Sequence, residues 1–264
     1  MIKFCSLYSG SSGNAIFLSD GRTKILIDAG LSGKRIFEAL TSIGEDPNEL
    51  DAILVSHEHS DHVRGVGVIS RRINIPIYAN KNTWEAMERS IGPIVTENRM
   101  CFDTGKEFEI GGININAFLI PHDAAEPVGF NFFVDNSKIT TLTDIGCMSK
   151  DILCCIEGSD LVLLESNHDT EMLKVGPYPW YLKKRIMGDR GHLSNESAGE
   201  VVAYLAKMGT RHFLLGHLSR ENNFPELAYE TVRNILDGED IDIERDITLT
   251  VAQRDRAGEV INIG

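Results

Sequence analysis

The segment LVSHEHSDH places His57, His59, Asp61 and His62 within six residues, directly behind the apolar run Ile53 to Val55. Imidazole and carboxylate without thiolate suit zinc or another borderline divalent ion at an open catalytic site, rather than a closed cysteine-rich structural one. Residues two apart in an extended loop point to the same side, so His57 and His59 can share one ion while Asp61 and His62 turn toward a second. Three further candidates each follow a predicted strand: His122 in IPHD, Asp144 in TLTDIG and His217 in LLGHLS. Alone, any of these reads as a surface or hydrogen-bonded core residue. Their order behind HxHxDH makes them a set.

The elements that must position this set are short. ILI at 25–27, ILV at 53–55, LVLL at 161–164 and FLL at 213–215 are apolar runs bounded by turn residues, the pattern of buried strands. Between them lie amphipathic helices. Ile36, Phe37, Leu40 and Ile43 follow a Ser32 cap and end at Gly44; Ala198, Val201, Val202 and Leu205 form a second face; Ala228, Val232, Ile235 and Leu236 follow Pro225 and end at Gly238. From about Glu107 to Thr143 the chain reads as consecutive strands EFEI, INAFLI, GFNFFV and KITTLT, joined by GG, PHDAAEP and DNS in hairpin-like connections. Strands mixed with helices, a meander, then helices and strands again predict an α+β protein: two facing sheets with helices outside, in one domain spanning 1–264.

The chain has 264 residues, 42% hydrophobic and 25% charged, enough to bury a core unaided. Lysine and arginine number 26 against 39 acidic residues, a net charge of −13 that argues against non-specific coating of nucleic acid or anionic membrane. The five cysteines, Cys5, Cys101, Cys147, Cys154 and Cys155, have no CxxC spacing, and a reducing compartment is the simpler reading. The start MIKFCSLYSG lacks a basic n-region followed by a long apolar stretch, and no apolar run approaches the roughly 18 residues of a membrane span. A soluble cytoplasmic protein is expected.

HEHSDH at 57–62, with His122, Asp144 and His217 following in order, resembles the metallo-β-lactamase superfamily. The resemblance implies a four-layer αβ/βα sandwich with a two-metal site at one edge. It further implies that His57, His59 and His122 take one ion, that Asp61, His62 and His217 take the other, and that Asp144 bridges both. Asp28 in LIDAG matches the buried aspartate that supports the histidine loop from behind the ligands. Within the superfamily, SGSSGNA at 9–15, DAGLSGK at 28–34, LESNHD at 164–169 and GHLSNE at 191–196 are similar to the YycJ/WalJ group, whose members are regarded as DNA exonucleases. The serine/glycine loop at 9–13 lacks the Gly-Lys-Ser/Thr of a Walker motif; it reads equally as a strand turn or as a loop lining the substrate cleft.

Glu165 and His192 bear on the reaction. VLLESNHD and RGHLSNESA resemble two places in ribonuclease Z where a glutamate and a histidine help to protonate a leaving group, so the resemblance makes Glu165 the orienting partner of a general acid, His192. Leu193 and Ser194 depart from that pattern, standing where Ser and Thr are expected. The alternative for the pair is structural, with His192 leading into a helix and Glu165 ending a strand. His168 reads equally as a substrate contact or a structural residue, and His212 as a structural strand residue. Lys183, Lys184 and Arg185, with Arg190 and Arg220, could bind phosphates or form a solvated face.

The chemistry implied is metal-dependent phosphodiester hydrolysis of nucleic acid, DNA before RNA, by a 5'-3' exonuclease using a metal-bridging hydroxide, with Asp61, Glu165 and His192 as catalytic groups and zinc or manganese as the ions. Hydrolysis of a small phosphodiester or thioester is the alternative, since thioesterases share the ligand set. A non-catalytic module keeping metal only for stability is disfavoured by the complete set.

Overall fold

Strands and helices form where the apolar periodicities place them. The structure is a computed structural model that describes residues 1–264. The chain divides into two compact units, one comprising 1–119, 124–136 and 253–264, the other 120–123 and 137–252.

In the first unit, β1 (Ile2–Tyr8), β2 (Ala15–Ser19), β3 (Lys24–Ile27), β4 (Ala52–Leu54), β5 (Ile77–Asn80) and β6 (Arg99–Phe102) join β14 (Ile261–Ile263) in a seven-stranded sheet ordered β14-β1-β2-β3-β4-β5-β6. The pairs β14–β1, β1–β2 and β2–β3 are antiparallel, whereas β3–β4, β4–β5 and β5–β6 are parallel, with Leu26 opposite Ile53 and Ile53 opposite Ile77. Parallel neighbours need a crossover. The helices Gly33–Ser42, Val66–Ile73 and Lys81–Ile91 supply it in turn. The predicted Ser32 cap is made, its hydroxyl accepting from Arg35 N. Cys5, Leu7, Phe17, Leu26, Ile53 and Val55 alternate along their strands and pack with Ile36, Leu40 and Ile69 of the helices in one buried cluster. The same unit holds the antiparallel meander β7 (Glu107–Ile110), β8 (Ile113–Leu119) and β9 (Val128–Val134). Its first turn is the Gly111-Gly112 pair, with Gly111 at φ +60° as a two-residue hairpin requires.

The second unit is built on parallel strands: β10 (Ser137–Leu142), β11 (Leu161–Glu165), β12 (His212–Gly216) and β13 (Thr248–Val251), paired in that order. β10, the last of the four strands read from the middle third, is thus the first of a parallel set. The LVLL run is fully buried on both faces, which is why it shows no alternation. Helices Lys150–Ile156, Asn195–Lys207 and Pro225–Gly238 connect these strands. No helix is long and apolar enough to cross a membrane.

Candidate metal centre

Most of the residues singled out from the sequence stand at carboxyl ends of parallel strands, where open α/β sheets hold their ligands, whereas His122 follows the antiparallel β8 and His192 follows the helix Trp180–Ile186. In the first unit, Asp28 follows β3 and His57, His59, Asp61 and His62 follow β4. In the second, Asp144 follows β10, Glu165 ends β11 and His217 follows β12. Three of these residues, Asp28 (φ +58°), Asp144 (φ +58°) and His217 (φ +55°), adopt the left-handed conformation that side chains other than glycine rarely take. Such strain persists where surrounding contacts over-determine it, and it collects at functional sites.

In the first unit His57 and His59 leave β4 in a loop, while Asp61 and His62 lie on the single helical turn Ser60–Val63 rather than in extended chain. The His57 ring centroid lies 4.6 Å from that of His59 and 4.1 Å from that of His62. Asp28 fixes the loop. Its carboxylate accepts from His62 Nδ1 at 2.7 Å, from Ser56 N at 2.9 Å and from Ser56 Oγ at 2.8 Å. Ser56 Oγ also lies 3.0 Å from His57 Nδ1. The backbone is knitted tightly: Asn14 N donates to Asp61 O, Ala29 N to His62 O and Gly30 N to Asn14 O. Gly30 is needed there, because a Cβ at this position would stand 1.6 Å from Asp61 O. Asn14 Nδ2 faces His62 Nε2 at 3.0 Å, while its Oδ1 accepts from Gly10 N. The serine/glycine loop is therefore bound to the histidine motif, a contact that its turn-like composition did not reveal.

In the second unit Asp144, Glu165, His192 and His217 bring four donor atoms within 4.8 Å of one another. Glu165 Oε1 accepts from two imidazoles, His217 Nδ1 at 2.6 Å and His192 Nδ1 at 2.8 Å. Glu165 Oε2 accepts from the backbone N–H of Ile145 at 2.7 Å and of Leu193 at 3.3 Å. This accounts for the departure at 193–194: a main-chain donor reaches the glutamate, and the Ser194 hydroxyl caps the following helix by accepting from Ser197 N. His122 Nδ1 donates to Gly191 O at 3.1 Å, and its Nε2 lies 3.6 Å from Asp144 Oδ1. Gly191 admits no side chain, since a Cβ would meet the Arg185 and Ile186 carbonyls at 2.2 Å.

Burial of Glu165 favours its neutral form, but His192 and His217 outweigh it and bring the carboxyl down to about 2. Burial likewise disfavours the His192 cation, and Glu165 reverses that, raising its pKa. Burial pushes His122 down. It also pushes His168 down to about 4; this side chain is buried, with no hydrogen-bond partner at Nδ1, and its carbonyl accepts from Asn195 N. His212 Nδ1 lies 2.8 Å from Thr248 Oγ1, across the β12–β13 pair. Lys183 is turned inward to donate to Lys174 O, whereas Lys184 and Arg185 are exposed and Arg185 pairs with Asp123.

A sequence profile described as "Beta-lactamase superfamily domain" matches residues 23–218. The chain belongs to the β-lactamase superfamily. It is 42% identical over 263 residues to a protein named exodeoxyribonuclease WalJ from Streptococcus pneumoniae serotype 2, covering 99% of this chain and 98% of the relative. It is 43% identical over 237 residues to exodeoxyribonuclease YycJ of Bacillus anthracis, covering 89% of each. Among solved structures, zinc-bound PqqB from Methylobacterium extorquens superposes with a TM-score of 0.74 at 17% identity over the whole of both chains. The fold is therefore the αβ/βα fold of the metallo-β-lactamases, with mixed sheets flanked by helices, as the order of elements predicts.

This family uses divalent metal ions held by His/Asp clusters, and the donor set here fits such ions. Three histidines direct Nδ1 at an oxygen that can only accept: His62 at Asp28, His122 at the Gly191 carbonyl and His217 at Glu165. Each Nδ1 therefore carries the proton and each Nε2 the lone pair through which imidazole binds a metal, the one on His62 accepting from Asn14 Nδ2 in this structure.

Proposed function

We propose that the protein is a metal-dependent DNA exonuclease, working as a single catalytic domain with two divalent ions, zinc first and manganese as the alternative. His57, His59 and His122 would hold one ion, Asp61, His62 and His217 the other, and Asp144 would bridge them. Bound there, the ions would lower the pKa of water toward about 7 and stabilise charge developing on the phosphoryl oxygens.

The observation that carries this reading is the shared carboxylate. By accepting hydrogen bonds from Nδ1–H of both His192 and His217, Glu165 fixes two rings at once. His217 is fixed for coordination. His192, whose pKa Glu165 raises, keeps a proton at Nε2 for the departing sugar oxygen. Asp61 takes its place among the catalytic groups through the second ion, and no covalent enzyme intermediate is needed. The substrate class is supported by the relatives named exodeoxyribonucleases, which align over nearly the whole chain. Five free thiols suit a reducing compartment, the cytoplasm.

Metal-loaded protein is expected to release nucleotides from terminally labelled DNA in preference to hydrolysing a glutathione thioester, with the 5'-end attacked first. His57→Ala and Asp61→Ala are each expected to abolish release. Activity that survives both substitutions, or a preference for the thioester, would overturn the assignment.

A further inference from the structure

The second unit carries a surface that the reaction chemistry does not explain. Residues 174–190, KVGPYPWYLKKRIMGDR, hold five cations against one acid, a local +4 on a chain of net charge −13. Lys183 is committed internally, and Lys174 and Arg185 are paired with Glu171 and Asp123, which leaves Lys184 and Arg190 as the surface cations without a carboxylate partner. The same stretch exposes adjacent aromatics, Trp180 at 60% and Tyr181 at 76%. Large rings this exposed gain nothing from folding, and consecutive ones are unusual outside binding surfaces. Pro177 and Pro179 stiffen the approach to the short helix Trp180–Ile186, so the rings sit on a restrained backbone. Lys184 Nζ lies 5.7 Å from the Trp180 ring centroid, a cation held beside an aromatic face.

The far end of the segment is fastened to the reactive cluster. Arg190 donates from Nε and Nη2 to His122 O at 3.1 and 2.9 Å, and the next two residues are Gly191, which accepts from His122 Nδ1, and His192. A seven-residue helix is about 10 Å long. That is the rise of roughly three bases stacked at 3.4 Å.

We propose that Trp180 and Tyr181 are a base-stacking platform for the single DNA strand being digested, with Lys184 and Arg190 on its phosphates. This inference rests on the exonuclease reading and specifies where the strand lies beyond the scissile bond. Stacking accepts any base, as an exonuclease that moves along a strand requires. Interleaved cations and aromatics match single-stranded nucleic acid better than a duplex, whose bases are already stacked.

The test uses the full-length, metal-loaded protein and the Trp180→Ala/Tyr181→Ala double variant, whose substitutions lie at exposed positions. The Michaelis constant for a twenty-nucleotide single strand should rise roughly 10-fold or more in the variant, while kcat for that strand and all constants for bis(p-nitrophenyl) phosphate stay unchanged. A dinucleotide too short to reach the platform should also be unaffected. The chain has two tryptophans, and Trp84 is buried, so oligothymidylate should quench the wild-type emission through Trp180. Wild-type digestion of DNA with an indistinguishable variant and no quenching would overturn the platform alone. Proportional loss on bis(p-nitrophenyl) phosphate would mark a structural role and overturn it too. Binding of the wild-type protein, but not of the double variant, to phosphatidylglycerol vesicles in preference to DNA would overturn the strand assignment in favour of a membrane surface. A wild-type protein that hydrolyses the small ester but neither binds nor digests DNA would remove both the platform and the exonuclease reading.

Discussion

Glu165 Oε1 serves two histidines, and its replacement separates their roles. Glu165→Gln keeps the shape but loses the charge that raises His192 and anchors His217. It should lower kcat by roughly 10²–10⁴ and weaken metal binding by roughly 10- to 100-fold. His192→Ala should reproduce the first loss without the second, as single-turnover rates and a chelator competition would show. The pH dependence follows from the same contact. Glu165, at about 2, stays ionised over the working range, and His192, raised by it, keeps its proton to higher pH than an ordinary imidazole and loses it as pH climbs past the raised value. kcat should therefore fall on the alkaline side, and His192→Ala should abolish that fall. A variant retaining the alkaline limb would assign it to another group. The Glu165–His192 pairing was legible as a resemblance between two short motifs. The bond to His217 was not, because it depends on the β11–β12 register, which sets Glu165 opposite Gly216 and hence beside the next residue.

The loops that carry these residues are held by close approaches that leave no room for a side chain. Gly191→Ala would drive a Cβ into the Arg185 and Ile186 carbonyls. The expected cost is about 1–3 kcal/mol, seen as a lower melting temperature together with a loss of activity as His192 shifts. Gly30→Ala should act on the Asp61 loop in the same way, and metal uptake measured by calorimetry should suffer first. In the parallel core, Leu163→Ala should cost about 2–5 kcal/mol with little change in kcat for the folded fraction. The strands and helices themselves were readable: the LVLL run, the Ser32 cap and the Gly-Gly hairpin all stand where apolar period and turn residues put them. The helical turn at Ser60–Val63 and the left-handed backbone at Asp28, Asp144 and His217 were not, because contacts from distant segments impose them against local preference. The Ser9–Asn14 loop was legible as a turn. Its attachment to His62 required the fold.

For the whole molecule, a charge of −13 argues against broad attraction to DNA and leaves attraction to local features: the bound ions, and the basic 174–190 segment. Stability should depend on metal, since ions that bind only the folded chain stabilise it by about 2.7 kcal/mol at a hundredfold excess over Kd. Chelation should lower the melting temperature, and zinc should restore it. The measurement closest to the central claim is nucleotide release from labelled DNA followed against ions bound per chain, as metal-stripped protein is titrated with zinc. Negligible release is expected from the stripped protein, with a rate that levels off at two ions per chain. Full release from metal-free protein, or a plateau reached at one ion, would contradict that claim.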